Sequence, residues 1–354
     1  MNIKAIQLFL VFSIIVSACN EKPMHKVDFS LDSFTRTDSI LNGEVYKNEK
    51  LFLGNPRWLK FHPDSFLIVS DLNNTSRFIK IIDLKTNEVQ EMIPSGKGPG
   101  EMITAWGIGI INMKIWVFDG QLRKICILMM NESRKFSIES EFSLKEKTTM
   151  GISVVNDSLI ACLSGLEDKV NRLAFCDFKG NIIRKTGTFP KLNSASELES
   201  DNNIFQSAIS SFPNSSKVVL ACNAIDIFEI YDTHTGIVNR FHGPLGIDLT
   251  ARKINVGIGY KMDLEPNCST FTNISCSDTS IWISYSGNCF TKRDLRTYSN
   301  VFPKNILCFS ENGIPKQILN FRNNILYFDV DWKNKNIYCL EWDDKIASIV
   351  RYEL

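Results

Sequence analysis

One pattern recurs six times along the chain: a polar turn, a short apolar strand, then a small or acidic stop. The segments are Asp64–Asp71, Met113–Gly120, Asp157–Gly165, Ser216–Asn223, Thr279–Gly287 and Lys335–Asp343. Each is rich in Ile, Val, Phe and Trp and bounded by Asn, Asp, Gly and Ser, the composition of a strand between turns. A second strand follows each segment, at Arg77–Asp83, Lys124–Asn131, Arg172–Asp177, Asp226–Asp232, Asn305–Glu311 and Ala347–Leu354. A third leaves five of them, at Val89–Ile93, Lys135–Phe142, Ile182–Gly187, Ile237–His242 and Pro315–Phe321. A further strand precedes each, at Arg57–His62, Thr104–Ile110, Gly151–Val155, Gln206–Phe212, Thr270–Ser275 and Ile325–Asp331. Turns such as Lys179-Gly180-Asn181 and Glu311-Asn312-Gly313 carry hairpin chemistry. Four antiparallel strands recurring about every 45–60 residues predict an all-β, six-bladed β-propeller rather than a sandwich or an open repeat. Unit six reaches Leu354 without an outer strand, while Lys26–Ser30 and Glu44–Leu53 are spare strands ahead of unit one. An N-terminal strand is therefore expected to complete the last blade and close the ring.

The first 18 residues read as a signal peptide, with Lys4 in a weakly positive start and an apolar run from Ala5 to Val16 too short to span a bilayer. Val16-Ser17-Ala18-Cys19 resembles the lipobox of bacterial lipoproteins. That resemblance implies cleavage before Cys19 and acylation of Cys19, an anchor that three acyl chains make effectively permanent. Residues 19–26 read as a polar tether and 27–354 as one propeller domain. The whole chain has 40 Lys+Arg and 39 Asp+Glu. Removing Lys4 with the signal leaves a balanced mature chain, so attachment must come from lipid and not from a basic patch. The same balance argues against a nucleic-acid partner.

Between units one and two lies Gly96-Lys97-Gly98-Pro99-Gly100-Glu101. With the lipobox and the six-unit layout, this run resembles the TolB-like six-bladed propeller lipoproteins of Bacteroides-type bacteria over roughly residues 25–354. The resemblance implies fold and address and leaves activity open. Three Gly in one crossover permit positive φ and present consecutive N–H groups, so the loop is either a tight structural link or an anion-binding turn beside Lys97 and Glu101. His242-Gly243-Pro244 repeats the Gly-Pro crossover after unit four, which favours the structural alternative.

The four His (His25, His62, His234, His242) have no metal-ligand spacing, and neither a Gly-x-Ser-x-Gly elbow nor an EF-hand loop occurs. No metal or cofactor is expected. Mid-strand Cys126, Cys162, Cys176, Cys222, Cys308 and Cys339 read as small core residues. Cys268, Cys276 and Cys289 are close enough in sequence for one disulfide among them in an oxidising envelope. Long inserts occupy Lys191–Asn203, Leu245–Cys268 and Lys292–Tyr298, and long inserts on a repeated scaffold are where function concentrates. Lys292, Arg293, Arg296 and Tyr298, with Arg57, Lys97, Glu101 and His242, form the candidate ligand-binding set.

These features point first to a non-catalytic, lipid-anchored propeller binding a protein, peptide or glycan. The alternative is an envelope enzyme, a sugar or lactone lyase or hydrolase, with convergent polar groups at the channel mouth; a third is a sensor or assembly subunit beside a transporter. The expected location is the outer membrane, and the single Glu21 followed by Lys22 favours the periplasmic side. Cys19→Ala should move the protein from the membrane pellet to the soluble fraction; a variant that still pellets overturns the lipobox reading.

Overall fold

The computed structural model describes residues 25–72, 77–146, 151–164, 168–192, 204–236, 239–255, 257, 260–290, 301–343 and 346–354. Three short strands come first: β1 (His25–Asp28), β2 (Arg36–Ile40) and β3 (Glu44–Val45). Blade one is β4 (Pro56–His62), β5 (Phe66–Asp71), β6 (Arg77–Asp83) and β7 (Val89–Pro94). Blade two is β8 (Gly107–Ile111), β9 (Lys114–Asp119), β10 (Lys124–Met130) and β11 (Phe136–Ser143). Blade three is β12 (Ile152–Asn156), β13 (Leu159–Leu163), β14 (Leu173–Cys176) and β15 (Ile182–Thr186). Blade four is β16 (Ser207–Ser211), β17 (Lys217–Cys222), β18 (Ile227–Asp232) and β19 (Asn239–His242), and a hairpin, β20 (Thr250–Asn255) and β21 (Tyr260–Glu265), follows it. Blade five is β22 (Cys268–Cys276), β23 (Ser280–Cys289), β24 (Asn305–Ser310) and β25 (Pro315–Phe321). Blade six is β26 (Asn324–Asp331), β27 (Asn336–Asp343) and β28 (Ile346–Glu353), with β3 as its fourth strand.

The blades form because their middle strands are apolar on both sides. Phe66–Asp71 is buried at every position, as are Ile115–Asp119 and Val218–Cys222. A strand buried on both faces loses the simple in-out alternation and reads as a continuous apolar run, which is what packing between two neighbouring blades demands. Asp and Asn side chains shape many turns at the opposite strand ends. Asp83 accepts from Lys85 N at 2.8 Å, Asp177 from Lys179 N at 2.9 Å and Asp232 from His234 N at 2.8 Å, each an Asx turn. The strand entering blade two starts at Gly107 and not at Thr104, because the Asp119 carboxylate takes Ile103 N at 2.6 Å and Thr104 N at 3.2 Å before the ladder begins.

Ring closure uses more of the N-terminus than one strand. β3 pairs antiparallel with β28 through Val45–Val350 and Glu44–Arg351 only, and residues 46–53 do not extend it as a strand. β1 and β2 do something the sequence pattern did not suggest. β1 adds in parallel to the outer edge of blade four, and β2 adds in parallel to the outer edge of blade five. The segment 25–45 is thus a belt over three consecutive blades. Phe29 and Phe34 pin it, packing edge-on against Phe309 at 5.5 and 5.3 Å, with Phe29 also 5.8 Å from Phe228. Gly243 lies directly under the belt with φ 137°, and a Cβ there would fall 2.0 Å from the Phe29 carbonyl oxygen.

Truncating a buried aromatic costs about 3–5 kcal/mol, so Phe34→Ala should lower the denaturant-unfolding free energy by that order. An unchanged unfolding curve would show that the belt does not hold the ring.

Candidate functional site

Every inner strand begins at one end of the propeller, and that end carries the long connections. The links 187–206 and 243–267 lead into β16 and β22, and 290–304 leaves β23 at the same end. Contacts confirm the shared face: Thr270 N donates to Asn223 O at 2.8 Å and Phe290 N to Asn267 O at 2.9 Å. Three long insertions from blades three to five therefore emerge over one sector of one face.

The sector is built, not draped. β20 and β21 pair in register from Thr250–Glu265 to Asn255–Tyr260. The underside of this hairpin, with Leu249 and Ala251 buried and Leu264 packed alongside, joins Leu192, Ile204, Phe205 and Ile225 in a core of its own. A disulfide joins Cys268 and Cys289 at the root of the 290–304 connection, while Cys276 is a buried free thiol pushed up to about 12 by burial. Asp226 holds the start of the 243–267 link, accepting from Leu245 N at 2.9 Å, Ile247 N at 3.3 Å and the Tyr285 hydroxyl at 3.0 Å. Burial raises this carboxyl above its ordinary range although those donors pull the other way.

Beneath the sector lies a buried charge triad. Glu229, 2% exposed, meets Arg240 at 2.6 Å and Arg172 at 3.2 Å. The guanidinium groups reach on to backbone: Arg172 donates to Phe205 O at 2.6 Å and Arg240 to Thr188 O at 2.6 Å. The triad thus clamps both described ends of the 187–206 link. Burial by itself would raise the Glu229 carboxyl, but Arg240 and Arg172 outweigh it and hold it below the usual carboxylate range. The outer surface mixes apolar and basic groups, with Leu245 57% and Ile254 41% exposed and Arg252 exposed beside them.

The channel carries a second polar cluster. Asp329 of blade six accepts from Ser275 Oγ of blade five at 2.6 Å and from Phe61 N of blade one at 2.9 Å, and pairs with Lys60 at 3.5 Å. Burial tends to lower the Lys60 ammonium, but Asp329 outweighs it and raises the group. Asn273 accepts from Phe328 N at 3.0 Å, and Ser153 Oγ from Ser211 N at 2.9 Å. Side chains of one blade thereby satisfy the unpaired inner edge of the next.

The structure disperses the sequence-derived set. Arg57 is exposed at the start of β4, at the channel mouth on the insertion-bearing face. Glu101 folds back on its own loop, accepting from Gly98 N at 2.8 Å, while Lys124 Nζ holds Gly98 O at 2.9 Å and Glu141 takes Gly100 N at 2.7 Å. The Gly96, Gly98 and Glu101 N–H groups are thus spent on the loop and its flank and that of Gly100 on blade two, with Lys97 exposed at the surface. His242 is half-buried opposite Asp28 of the belt, far along the rim from that loop, and lowered first by burial and then by Lys26 and Arg240. Lys292, Arg293, Arg296 and Tyr298 lie outside the described residues, as does Cys19. Sequence reasoning missed Lys60, Asp329, Arg172, Glu229 and Arg240. Their signal was a charge in the middle of an apolar strand, as in Ile227-Phe228-Glu229-Ile230-Tyr231, where burial requires a partner.

With this geometry in place, comparison gives the class of protein. The TolB-like 6-blade propeller-like family model matches residues 34–333, and the chain belongs to that family. Among solved structures it is similar to an exported protein of Bacteroides fragilis NCTC 9343, at 13% identity and TM-score 0.56, covering 93% of this chain and 99% of that one. It is also similar to streptogramin B lyase (12% identity, TM-score 0.50, 88% and 97% covered) and to the WD40 repeats of RRP9 (11%, 0.50, 88% and 97%). At these identities the likeness is one of fold. No curated protein matches the chain.

A group whose folded pKa is depressed contributes stability above its unfolded pKa, near 4.3 for Glu, and loses it as pH falls through the folded value. Wild-type stability should therefore drop on acidification below about pH 4.3 through Glu229. Glu229→Gln, which leaves two guanidinium groups without their counter-charge, should cost about 3–5 kcal/mol at pH 7 and show a shallower acid limb. Parallel acid limbs would contradict the assignment.

Proposed function

We propose that the chain is a lipid-anchored envelope protein whose propeller binds a protein, peptide or glycan through its insertion-bearing face. One observation carries the reading: the long insertions of three neighbouring blades emerge together, and the described parts are held by a private apolar core, a disulfide and a buried charge triad. Holding loops in place in advance lowers the ordering cost of binding, and Leu245, Ile254 and Arg252 supply apolar and charged contacts suited to a mixed partner surface. Lys292, Arg293, Arg296 and Tyr298 belong by sequence to the 290–304 connection and would add to that surface.

The address follows from Val16-Ser17-Ala18-Cys19 and from the Gly96–Glu101 run, which support an acylated Cys19, membership among the lipoproteins of Bacteroides-type bacteria and an outer-membrane, periplasm-facing position. A fold shared with an exported Bacteroides protein agrees with it. For the rival, an envelope enzyme acting at the channel mouth, the charged pair described in the channel is Lys60 and Asp329. Both oxygens of Asp329 are already engaged by Ser275, Phe61 N and Lys60 in holding three blades together, so the binding reading is preferred.

A thermal-shift screen of envelope glycans and peptides on residues 20–354 tests it, because a ligand of the folded state raises the melting temperature. The expected result is a stabilising compound whose effect disappears when the exposed residues are changed, in Leu245→Ser/Arg252→Glu/Ile254→Ser, a variant that keeps buried Leu249 and Ala251 and, packed alongside, Leu264. A stabilising compound whose effect survives that triple substitution but is lost in Lys60→Met would favour the channel instead.

A further inference from the structure

Among the described residues, the belt pairs with three of the six outer edges and leaves the other three as edge strands. Blades four, five and six carry β1, β2 and β3, whereas β7, β11 and β15 end their sheets. An outer edge strand with exposed apolar residues attracts a partner, and proteins blunt such edges with charge. β7 presents Glu91, and β11 presents one isoleucine, Ile138 at 37% exposure, flanked by Ser137, Glu139, Ser140 and Glu141. β15 differs: it presents two adjacent isoleucines, Ile182 at 42% and Ile183 at 57% exposure, and its charges are cations, with exposed Lys179 ahead of it and half-buried Arg184 and Lys185 after the isoleucines, Lys185 paired with Glu146 and Asp168.

The path of the N-terminus indicates what covers this edge. β15 is fastened to the turn of blade four that leads into β19: Arg184 donates to the Thr233 and His234 carbonyls, and Thr186 Oγ1 donates to Gly236 O at 3.2 Å. β1 begins at His25 opposite Asn239, just past that turn. Only residues 20–24 separate His25 from Cys19, a contour of about 20 Å. A tether of that length keeps an acyl group on Cys19 within about 20 Å of the start of β1, a reach that includes the edge of blade three.

We propose that Ile182 and Ile183 rest in the lipid headgroup region, with Lys179 toward headgroup phosphate, so that the propeller stands on its rim. Both openings of the ring, and the insertion-bearing face with them, then remain in water and within reach of a soluble partner. The proposal rests on the lipid-anchor reading of Cys19.

The test uses the full acylated chain in phosphatidylethanolamine–phosphatidylglycerol vesicles. Single cysteines replace Ile183, Ile346 or Leu245 and carry a thiol-linked dye; Ile346, 67% exposed, lies on blade six across the ring, and Leu245 on the insertion-bearing face. The free native cysteines among the described residues are all buried. Quenching by headgroup-spin-labelled lipid should be severalfold stronger for Ile183→Cys than for Ile346→Cys or Leu245→Cys. Membrane-bound protein with equal quenching at the three positions, or with the strongest at 346 or 245, overturns the rim contact and leaves the anchor standing. Wild-type protein that stays soluble overturns the anchor reading and this proposal with it. Sedimentation in detergent adds a further arm: a wild-type dimer that becomes monomeric in Ile182→Ser/Ile183→Ser would assign the edge to a second copy and overturn lipid contact.

Discussion

Open sheet edges set the terms for this fold. Each blade has an inner and an outer strand with unpaired N–H and C=O groups, and an unsatisfied buried donor costs about 1–3 kcal/mol. At the inner edges the remedy is a side chain from the neighbouring blade: Asp329 for Phe61 N, Asn273 for Phe328 N and Ser153 for Ser211 N. At the outer edges of blades four to six the remedy is backbone, supplied by the belt. Lys60 enters this scheme as the counter-charge of Asp329, which lets a carboxylate serve deep in the channel. The polar channel is thus first a joint between blades.

The same logic places function on the periphery. Asp329, Lys60, Asn273 and Ser153 are committed to holding the ring, whereas exposed apolar and basic groups cluster where the chain departs from the repeat. Those departures converge over blades three to five, and the Arg172–Glu229–Arg240 triad is the price of mounting a link on that sector without letting it collapse into the core. The disulfide Cys268–Cys289 sits at the same end, where the innermost two strands of blade five part.

How much of this was legible in the sequence depends on the range of the interaction. The six units were readable because a middle strand buried on both sides leaves a long apolar run, as in Phe66–Asp71, and because Asx turns leave Asp and Asn at fixed offsets, as at Asp83, Asp177 and Asp232. The closing strand followed from a missing fourth strand in unit six. The belt did not follow: β1 and β2 pair in parallel with strands more than two hundred residues away, and neither His25–Asp28 nor Arg36–Ile40 carries an apolar pattern, since both lie mostly exposed on the rim. Conversely, Glu101 drew notice as a candidate ligand-binding carboxylate, whereas its carboxylate is consumed three residues back at Gly98 N. The buried charges were visible only as misfits in apolar strands. Their partners come from other strands or other blades, as with Glu229 and Arg172, 57 residues apart.

Native-state hydrogen exchange at the backbone amides of Phe61, Ser211 and Phe328 tests the edge account most directly. All three lie on innermost strands, where no strand partner protects that side. If neighbouring blades cap them, they should exchange as slowly as the ladder amides of the central strands, with protection approaching that of global unfolding. Exchange at the rate of exposed turns would mean that the inner edges are open and that the ring is held by packing alone.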